Sequence, residues 1–471
     1  MHLETDYRIE QDSLGSYKVP SESYYGINTA RSYDNFKINN SYVNINLILS
    51  MVLVKKSCAM ANKKLKLVPD DIGTAIIDAC DKILEGNIDY NKEFITNSLQ
   101  GGAGTSTNMN VNEVIANLAL EILGKNKGRY DIVHPLSHVN MSQSTNDVYP
   151  TALRIAAINL LRPLTDEFTV LQEVLQEKEN EFSHIIKLGR TELMDALPMM
   201  MGQGFGAYAK AIARDRWRLY KIEERLREIN LGGTAIGTSL NADRKYIYLV
   251  TDILQDITGL GISRADYLMD VTQNMDVFVE VSGLLKASAV NLIKISNDLR
   301  LLSSGPRGGF NEINLPSRQA GSSIMPGKVN PVMAEMMGEI AIKVIANDTA
   351  ITMAAASGQL ELNSFSPLIA DSLLNSLEIL KTGVNLFTEN CIKGITANEK
   401  TCRDNLEKST ALGAALINHI GYDKASKVSL KALNENKTIK QILLEENILT
   451  EDKIDKILNP FEVTKPGTPG K

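Results

Sequence analysis

An apolar seam runs through the middle of the chain. Large apolar residues recur there at alternating spacings of three and four positions: Leu161, Leu164, Phe168, Leu171 and Leu175. This spacing places them on one face of an α-helix and predicts a long helix that packs on other helices. Pro163 lies within the pattern, and a proline inside a helix is expected to kink or restart it.

Four further stretches have helical periodicity and similar length: residues 200–228, 274–304, 332–356 and 366–390. Helices of this length need neighbours of matching length, so the pattern predicts a bundle. Alternating strand patterns are rare, and only short strands are predicted, near Tyr17–Val19 and in the loop regions. The predicted fold class is therefore mainly α, built around a long central helix bundle.

The composition of the chain shifts at two places. Met141–Pro150 ends an N-terminal portion with shorter helices, and Gly394–Asn398 begins a more charged C-terminal portion. We therefore predict three domains: an N-terminal helical domain (1–143), a central long-helix bundle (144–393) and a small C-terminal helical domain (394–471).

Length and charge limit the classes of function. The chain has 471 residues, 44% hydrophobic and 23% charged, with a formal net charge of −6. It is long enough for two or three domains with a large core. The acidic balance disfavours nucleic acid and anionic membranes as partners. No apolar run reaches the roughly 18 residues of a membrane span, so no membrane partner is expected.

Cysteine and histidine usage argues against disulfides and metals. The four cysteines are scattered, without a Cys-x-x-Cys pair: Cys58, Cys80, Cys391 and Cys402. The five histidines form no His-Glu-x-x-His motif, so neither a metal nor another cofactor is expected. The start of the chain, Met1–Asp6, has neither basic residues nor an apolar stretch, so no secretory signal is expected. A cytoplasmic location follows as the default.

Four polar clusters interrupt the apolar and helical sequence: residues 101–108, 142–147, 189–196 and 321–331. Alone, each is more typical of a turn or a helix cap, and Ser144 and Thr145 could simply cap a helix that starts near Val148. The first cluster lacks the Gly spacing of a dinucleotide-binding turn. The fourth lacks both the spacing and the Ser or Thr of a phosphate-binding P-loop.

The fourth cluster reads Gly-Ser-Ser-Ile-Met-Pro-Gly-Lys-Val-Asn-Pro and resembles the signature loop of the aspartase/fumarase superfamily. These enzymes eliminate ammonia, an amine or water from a succinate-like skeleton. The other three clusters match the superfamily's substrate-contacting segments in order, and the resemblance extends over essentially the whole chain. It implies a three-domain helical fold and a homotetramer whose active sites use three chains.

The resemblance also implies a role for individual residues. Ser322 would be the base that removes a proton beside a carboxylate and creates a doubly charged aci-carboxylate. The other implied contacts are Thr105, Ser144, Thr145 and Ser323 as donors to that intermediate, Lys328 and Asn330 for the second carboxylate, and Asn146 and Thr191 for the leaving group. Arg190 is expected to form a structural ion pair beside the site.

Glu192 departs from the family pattern, which usually has His or Gln at this position. In many relatives that histidine pairs with the residue matching Glu335, and two facing carboxylates are unfavourable unless a proton or a cation intervenes. Either charge has been relocated without consequence, or Glu192 contacts a more cationic or bulkier amine. The family's usual Gln-Glu pair reads Gln203-Gly204 here, so one acidic group is lost as Glu192 is gained. Ser239 for the common Gly and Leu136-Ser137 for the usual Asn-Asp are further departures that the sequence does not explain.

Two stretches favour an amine leaving group. Val332–Glu335 and Asn459–Gly467 are both similar to aspartate ammonia-lyases. The expected activity is reversible deamination of L-aspartate, an amino-acid substrate, to the dicarboxylate fumarate and ammonium. Three alternatives remain open: an amine lyase on an N-substituted amino acid, such as ergothionase-like trimethylamine release, a class II fumarase, and reuse of the scaffold as a structural protein, as in the δ-crystallins.

Overall fold

A computed structural model of the chain describes residues 6–471. Its helices are α1 (Ile27–Asn35), α2 (Ile45–Lys64), α3 (Asp70–Leu84), α4 (Tyr90–Glu93), α5 (Thr105–Ile122), α6 (Thr145–Glu181), α7 (Met201–Leu226), α8 (Arg244–Thr258), α9 (Leu268–Gln273), α10 (Asp276–Leu302), α11 (Val332–Ala356), α12 (Ser366–Asn390), α13 (Glu399–Lys408), α14 (Gly413–Ile420), α15 (Tyr422–Asn434), α16 (Ile439–Glu445), α17 (Glu451–Ile457) and α18 (Pro460–Val463). The mainly α fold class is confirmed.

The expectation about a secretory signal concerns mostly Met1–Thr5, which lie outside the described residues.

The strands are short and pair two by two. They are β1 (Tyr7–Asp12), β2 (Gly15–Pro20), β3 (Ile186–Thr191), β4 (Met194–Met200), β5 (Glu228–Ile229), β6 (Ser263–Arg264), β7 (Ile313–Asn314) and β8 (Thr396–Ala397). The β5–β6 pair is parallel, and the other three pairs are antiparallel. The strand predicted near Tyr17–Val19 is β2. A π-helical turn, Pro135–Val139, precedes α6.

The predicted long helices are present with nearly the expected bounds. The apolar seam lies on α6, and its five residues are almost completely buried. The four other stretches correspond to α7, α10, α11 and α12. Pro163 lies inside α6 without restarting it, since the helix runs unbroken from Thr145 to Glu181. The helical period therefore predicted these elements well, because each buries one continuous apolar stripe.

The described chain separates into two compact units. The first contains the residues up to Thr165, then Trp217–Ala287 and Lys343–Lys381; the second contains Asp166–Arg216, Ser288–Ile342 and Thr382–Lys471. The unit boundaries fall within the five long helices. The three-domain division drawn along the sequence stays a prediction.

Helix α2 is the one helix of residues 6–471 that is long and apolar enough to cross a membrane by length and composition alone. Two thirds of its most apolar window is buried inside the first unit, where α2 packs on α3 and α8. This packing accounts for its apolar character, since a helix covered on several sides needs no polar face.

A hairpin of β3 and β4 lies in the second unit. Thr191 pairs with Met194, so only Glu192 and Leu193 form the turn. Both turn residues have positive φ, 54° and 66°, as a type I′ hairpin turn requires. A turn was among the simpler interpretations of this cluster, but its hairpin type could not be predicted, because neither residue is the Gly or Asn that normally marks such a turn.

Candidate active site

The loop that carries Ser322 closes on itself in the second unit. The Gly321 N–H donates to the Lys328 carbonyl oxygen at 2.9 Å, and the Asn330 amide Nδ2 donates to the Gly321 carbonyl oxygen at 2.7 Å. A Cβ atom on Gly321 would lie 2.5 Å from the Lys328 oxygen, so only glycine allows this approach. The closed loop fixes the backbone on both sides of Ser322.

The Ser322 hydroxyl lies among backbone donors. Its Oγ accepts hydrogen bonds from the N–H groups of Ile324 at 3.2 Å and Met325 at 2.8 Å. Two preorganised donors on one oxygen favour its negatively charged form over the neutral hydroxyl. The loop can therefore stabilise a serine oxyanion, which is the form that could act as a base. The neighbouring Ser323 is exposed.

Lys328 and Asn330 line a cavity of about 1080 Å³ together with Arg300 and Glu335. Arg300 Nη2 lies 3.7 Å from Glu335 Oε1. Lys328 is exposed and has no ion-pair partner among residues 6–471. A cation and an amide donor facing one cavity suit a carboxylate ligand.

Ser144 begins the next group, at the N-terminus of α6 in the first unit. Its Oγ accepts from the Asn146 N–H at 3.2 Å, and its own N–H donates to Asp147 Oδ1 at 2.9 Å. Ser144 is therefore a helix cap, as the simpler interpretation predicted, although its O–H group can still donate. The amino end of a helix also favours a bound anion.

Thr145 belongs to a buried polar network beneath this helix end. Its Oγ1 accepts from Asn108 Nδ2 at 3.1 Å, and the same amide donates to Asn140 Oδ1 at 3.1 Å. The Lys55 ammonium donates to Asn140 Oδ1 at 2.7 Å and to Gln143 Oε1 at 2.8 Å. Lys55 is completely buried, and this burial lowers its pKa to about 7.

Asp147 fixes the 230–241 segment against α6. Its Oδ2 accepts from the N–H groups of Gly232 at 3.1 Å and Thr234 at 3.0 Å. Burial raises the pKa of this carboxyl to about 6. Asn146 Nδ2 donates to the Ala235 carbonyl oxygen at 2.7 Å. The Asn146 amide oxygen accepts nothing from the described part of the chain, so it is free to accept from a ligand.

Thr105 is the first residue of α5, and its hydroxyl donates to the Gly102 carbonyl oxygen at 2.7 Å. Gly104, just before it, has φ of 92°, and a Cβ there would lie 2.3 Å from the Tyr149 ring. Glycine is therefore required at this turn. Thr105 and Asn108 are three residues apart, on the same face of α5.

Arg190 forms the structural ion pair that was expected of it. Its Nη1 lies 2.7 Å from Glu312 Oε1, and Lys187 Nζ lies 3.0 Å from Glu312 Oε2. The Glu312 carboxylate is completely buried, and the Arg190 guanidinium also stacks 4.1 Å from the Phe310 ring centre. These contacts hold the base of the hairpin that carries Glu192.

Glu192 and Thr191 are exposed at the tip of this hairpin. Within the structure as described, the Glu192 carboxylate has no hydrogen-bond or ion-pair partner, while Glu335 is near Arg300. Arg300 is thus a cation beside Glu335. Two carboxylates can lie close together if a cation or a proton is between them, and Arg300 could meet this condition for Glu335.

The ten proposed site residues fall into three groups. The first unit holds Thr105, Ser144, Thr145 and Asn146; the second holds Thr191 and Glu192 on the hairpin, and Ser322, Ser323, Lys328 and Asn330 on the loop. The roles that the resemblance implies for them stay predictions. Among residues 6–471, no three His, Cys, Asp or Glu side chains are grouped to hold a metal ion.

Sequence reasoning missed the network around Thr145. Lys55 lies in an apolar helix, α2. Because lysine is rarely buried, its position in this helix could have indicated a buried polar network. Asn108 and Asn140 lie inside or close to clusters that were singled out, but nothing in the sequence shows that their amides meet.

Comparison with known proteins identifies the family. A model of the lyase family matches residues 15–346, and a model of the fumarase C C-terminus matches residues 412–465.

The chain belongs to the aspartase/fumarase superfamily.

Superfamily members of known name are similar over their whole length. The aspartate ammonia-lyase of Bacillus subtilis (strain 168) is 47% identical over 99% of this chain and 98% of its own. That of Helicobacter pylori (strain 26695) is 47% identical over 98% of both chains. Among solved structures, a fumarate lyase:delta crystallin from Brucella melitensis bound to cobalt is 43% identical, with a TM-score of 0.94 over 98% of this chain and 100% of that one. A class II fumarase from Schistosoma mansoni is 33% identical, with a TM-score of 0.93 over the same shares.

The other residues that depart from the family pattern have the following places in the structure. Ser239, where glycine is common, has φ of 62°, the left-handed region that favours glycine. Leu136 and Ser137 lie in the π-helical turn, and their N–H groups donate to His134 Nδ1. A Cβ atom on Gly204 would meet Met199 at an ordinary 3.6 Å, so a side chain could be accommodated there.

Proposed function

We propose that this lyase is an aspartate ammonia-lyase, which converts L-aspartate reversibly to fumarate and ammonium. The observation that carries the proposal is the Ser322 hydroxyl with two backbone donors, on a loop that also presents Lys328 and Asn330. The similarity to named aspartate ammonia-lyases over the whole chain supports the choice of substrate.

The proposed reaction begins at Ser322. Its oxyanion takes a proton from the carbon beside one carboxylate, and the electron pair moves into that carboxylate to form the aci-carboxylate. Charge-assisted hydrogen bonds from Ser144, Thr145 and Ser323 would stabilise it, at about 1.5–3 kcal/mol each. Thr105 would add another by turning its hydroxyl hydrogen away from the Gly102 carbonyl oxygen. Lys328 and Asn330 hold the other carboxylate.

The second step breaks the carbon–nitrogen bond. The electron pair returns from the aci-carboxylate to form the double bond of fumarate, and the amine leaves with the bonding pair. The free amide oxygen of Asn146 and the exposed hydroxyl of Thr191 are suited to contact the departing nitrogen. The nitrogen leaves as ammonia and takes up one proton, while Ser322 gives up the proton that it removed and becomes the oxyanion again. The overall products are therefore fumarate and ammonium.

The Ser322→Ala variant tests the assignment of the base. We expect it to fold normally and to lose turnover by at least about 10²–10⁴-fold, the usual contribution of general acid–base catalysis. Steady-state rates with L-aspartate measure this. The matched control is Ser323→Ala, which removes a donor but leaves the base and should retain more activity. If Ser322→Ala keeps over roughly a tenth of the wild-type kcat, another group is the base.

A second candidate function is favoured by one observation: the Glu192 carboxylate at the hairpin tip has no hydrogen-bond or ion-pair partner in the described part of the chain. A carboxylate near the leaving nitrogen attracts a positively charged amine and offers nothing to a hydroxyl. An amine lyase that acts on an N-substituted amino acid, such as a quaternary ammonium substrate, would use such a group.

The Glu192→Gln variant separates the two candidates. If aspartate is the natural substrate, the variant should keep substantial ammonia-lyase activity, because glutamine stands there in many family members. If the substrate is a substituted amine, the variant should lose about 1.5–3 kcal/mol of charge-assisted binding, roughly 10- to 150-fold in kcat/KM. Wild type and variant are compared on L-aspartate and on N-methylated and trimethylated analogues. Poor use of aspartate by the wild type would contradict the first candidate.

The two remaining alternatives are less well supported. A class II fumarase would have to dehydrate malate, whose hydroxyl gains nothing from the Glu192 charge. A structural protein that reuses the scaffold would not need the backbone donors on Ser322 or the exposed cation of Lys328.

We further propose that the enzyme is a homotetramer with sites shared between chains. Helix α11 supports this, because apolar residues lie on all its faces and such a helix is normally covered on all sides. Within one chain it buries Met337, Ala341 and Val344, while Ile342 is 61% exposed and Met353 65% exposed. Second copies of the chain would cover the exposed faces.

A cytoplasmic location and the three-domain division remain part of the proposal. All four cysteines are unpaired and buried, which fits a reducing compartment. The domain bounds, 1–143, 144–393 and 394–471, would be tested by limited proteolysis, which cuts most readily in exposed loops between compact parts.

A further inference from the structure

The buried polar network beneath Thr145 has no part in the proposed reaction. It consists of Lys55, Asn108, Asn112, Asn140 and Gln143, all in the first unit. Lys55, Asn108 and Asn112 are at most 2% exposed. Buried polar groups are costly to maintain, and a network of them beside a site often serves to orient the residues that touch the ligand.

Lys55 determines how the Asn140 amide is turned. Lys55 Nζ donates to Asn140 Oδ1 at 2.7 Å and to Gln143 Oε1 at 2.8 Å, and it has the two N–H groups that this requires both as an ammonium and as a neutral amine. If the Asn140 amide were rotated by half a turn, its NH₂ group would face one of these N–H groups, donor against donor. Asn140 therefore presents its oxygen to the centre of the network.

Asn140 in turn determines how Asn108 is turned. Asn140 Oδ1 also accepts from Asn108 Nδ2 at 3.1 Å and from Asn112 Nδ2 at 3.2 Å. A rotated Asn108 would set its own oxygen against that of Asn140. Asn108 thus keeps its NH₂ group in place although its buried amide oxygen has no hydrogen-bond partner among residues 6–471, which is unfavourable by itself.

The second hydrogen of the Asn108 NH₂ group points to Thr145 Oγ1 at 3.1 Å. This side of the Thr145 hydroxyl can therefore only accept. Its single O–H hydrogen must point elsewhere, and it has no acceptor in the part of the chain that the structure describes. Thr145 is only 8% exposed, so water has little access to accept a hydrogen bond from its hydroxyl.

We propose that Asn108 is a positioning residue that turns the Thr145 hydroxyl so that its hydrogen is presented to the substrate carboxylate. Lys55 fixes the orientation of the Asn140 amide, Asn140 fixes that of Asn108, and Asn108 fixes that of the Thr145 hydroxyl. Without Asn108, the hydroxyl can rotate toward the network and is lost as a donor for part of the time. The inference rests on the proposed function only in that Thr145 contacts a carboxylate.

A double-mutant cycle between Asn108 and Thr145 tests this, with succinate as an unreactive dicarboxylate probe. Its dissociation constant is measured by calorimetry, and kcat/KM for L-aspartate is measured alongside. Thr145→Val removes the hydroxyl and should weaken succinate roughly 10- to 100-fold. Asn108→Ala should weaken it several-fold in the wild type and less than about twofold in the Thr145→Val background, because coupled residues are not additive.

Asn112→Ala is the matched control. Asn112 donates to the same oxygen of Asn140 but has no hydrogen bond with Thr145 among residues 6–471, so its loss should affect succinate binding much less than the loss of Asn108. Asn108→Asp serves as a second variant of unchanged size. Its carboxylate cannot donate and would accept the Thr145 hydrogen, so it should weaken succinate at least as much as Asn108→Ala.

The outcomes separate the failure of this inference from that of the proposed function. If wild type binds no succinate and does not turn over aspartate, both fall. If it binds succinate but Asn108→Ala costs the same factor in both Thr145 backgrounds, the positioning role is wrong and the proposed function stands. Equal losses for Asn108→Ala and Asn112→Ala would likewise overturn the positioning role, since they would reflect general damage to the network.

Discussion

Lys55 is a completely buried ammonium whose partners are two neutral amide oxygens. Burial disfavours its charged form and lowers its pKa to about 7 from an ordinary value of 10.5. Above about pH 7 the folded chain therefore binds fewer protons at this site than the unfolded chain. The stability that this difference contributes is complete above pH 10.5 and is lost as the pH falls through about 7.

We therefore expect the folded state to become more stable between about pH 6.5 and about pH 9, by up to roughly 1.4 kcal/mol for each pH unit. The Lys55→Met variant, which cannot titrate, should show a smaller rise. Urea unfolding of both proteins at the two pH values measures the difference. Parallel pH dependences would mean that Lys55 does not titrate in this range.

Some residues of the proposed site could be predicted from adjacent positions in the sequence, and others could not. The Ser322 loop could be recognised because its residues are adjacent in the sequence and closed by a glycine. The meeting of Lys55, Asn108 and Asn140 could not, because these residues come from separate segments and meet only after α2, α5 and the turn before α6 have packed. The amide orientation of Asn140, in particular, depends on a lysine 85 positions away.

The β3–β4 hairpin is an element whose structure could not be predicted from the sequence pattern. The long helices follow the spacing of their apolar residues, so their bounds could be predicted to within a few residues. The hairpin turn has Glu192 and Leu193 at positive φ, where Asn and Gly normally stand, so the usual hairpin signal is absent. Such strain at non-glycine residues is more common at functional sites than elsewhere.

Replacing Leu193 by glycine should relieve this strain while leaving Glu192 unchanged. Leu193 is 63% exposed, so little apolar burial is lost, and we expect a gain of about 1 kcal/mol in stability. The matched control is Met194→Gly in β4, which is 70% exposed and should lose about 0.5–1 kcal/mol. Thermal unfolding of the two variants should move in opposite directions. A loss of stability in Leu193→Gly would show that the leucine side chain is packed in the assembled protein.

At the scale of the whole molecule, the proposed tetramer predicts the effect of a charge on α11. Ile342→Glu places a carboxylate on a face that second copies should cover, and burying an unpaired charge costs several kcal/mol. Light scattering should show a smaller particle than wild type. Leu430→Glu on α15, a position 57% exposed, is the control and should assemble normally. An Ile342→Glu protein of unchanged mass would exclude that face from the interface.

The proposed reaction releases an amine from a succinate skeleton by serine-base elimination. The most direct test incubates the wild-type protein with L-aspartate, and in parallel with malate, and follows the ultraviolet absorbance of the fumarate double bond while ammonium is measured separately. We predict fumarate and ammonium in equal amounts from aspartate, and negligible fumarate from malate. Efficient dehydration of malate, or formation of fumarate without ammonium, would rule out this reaction.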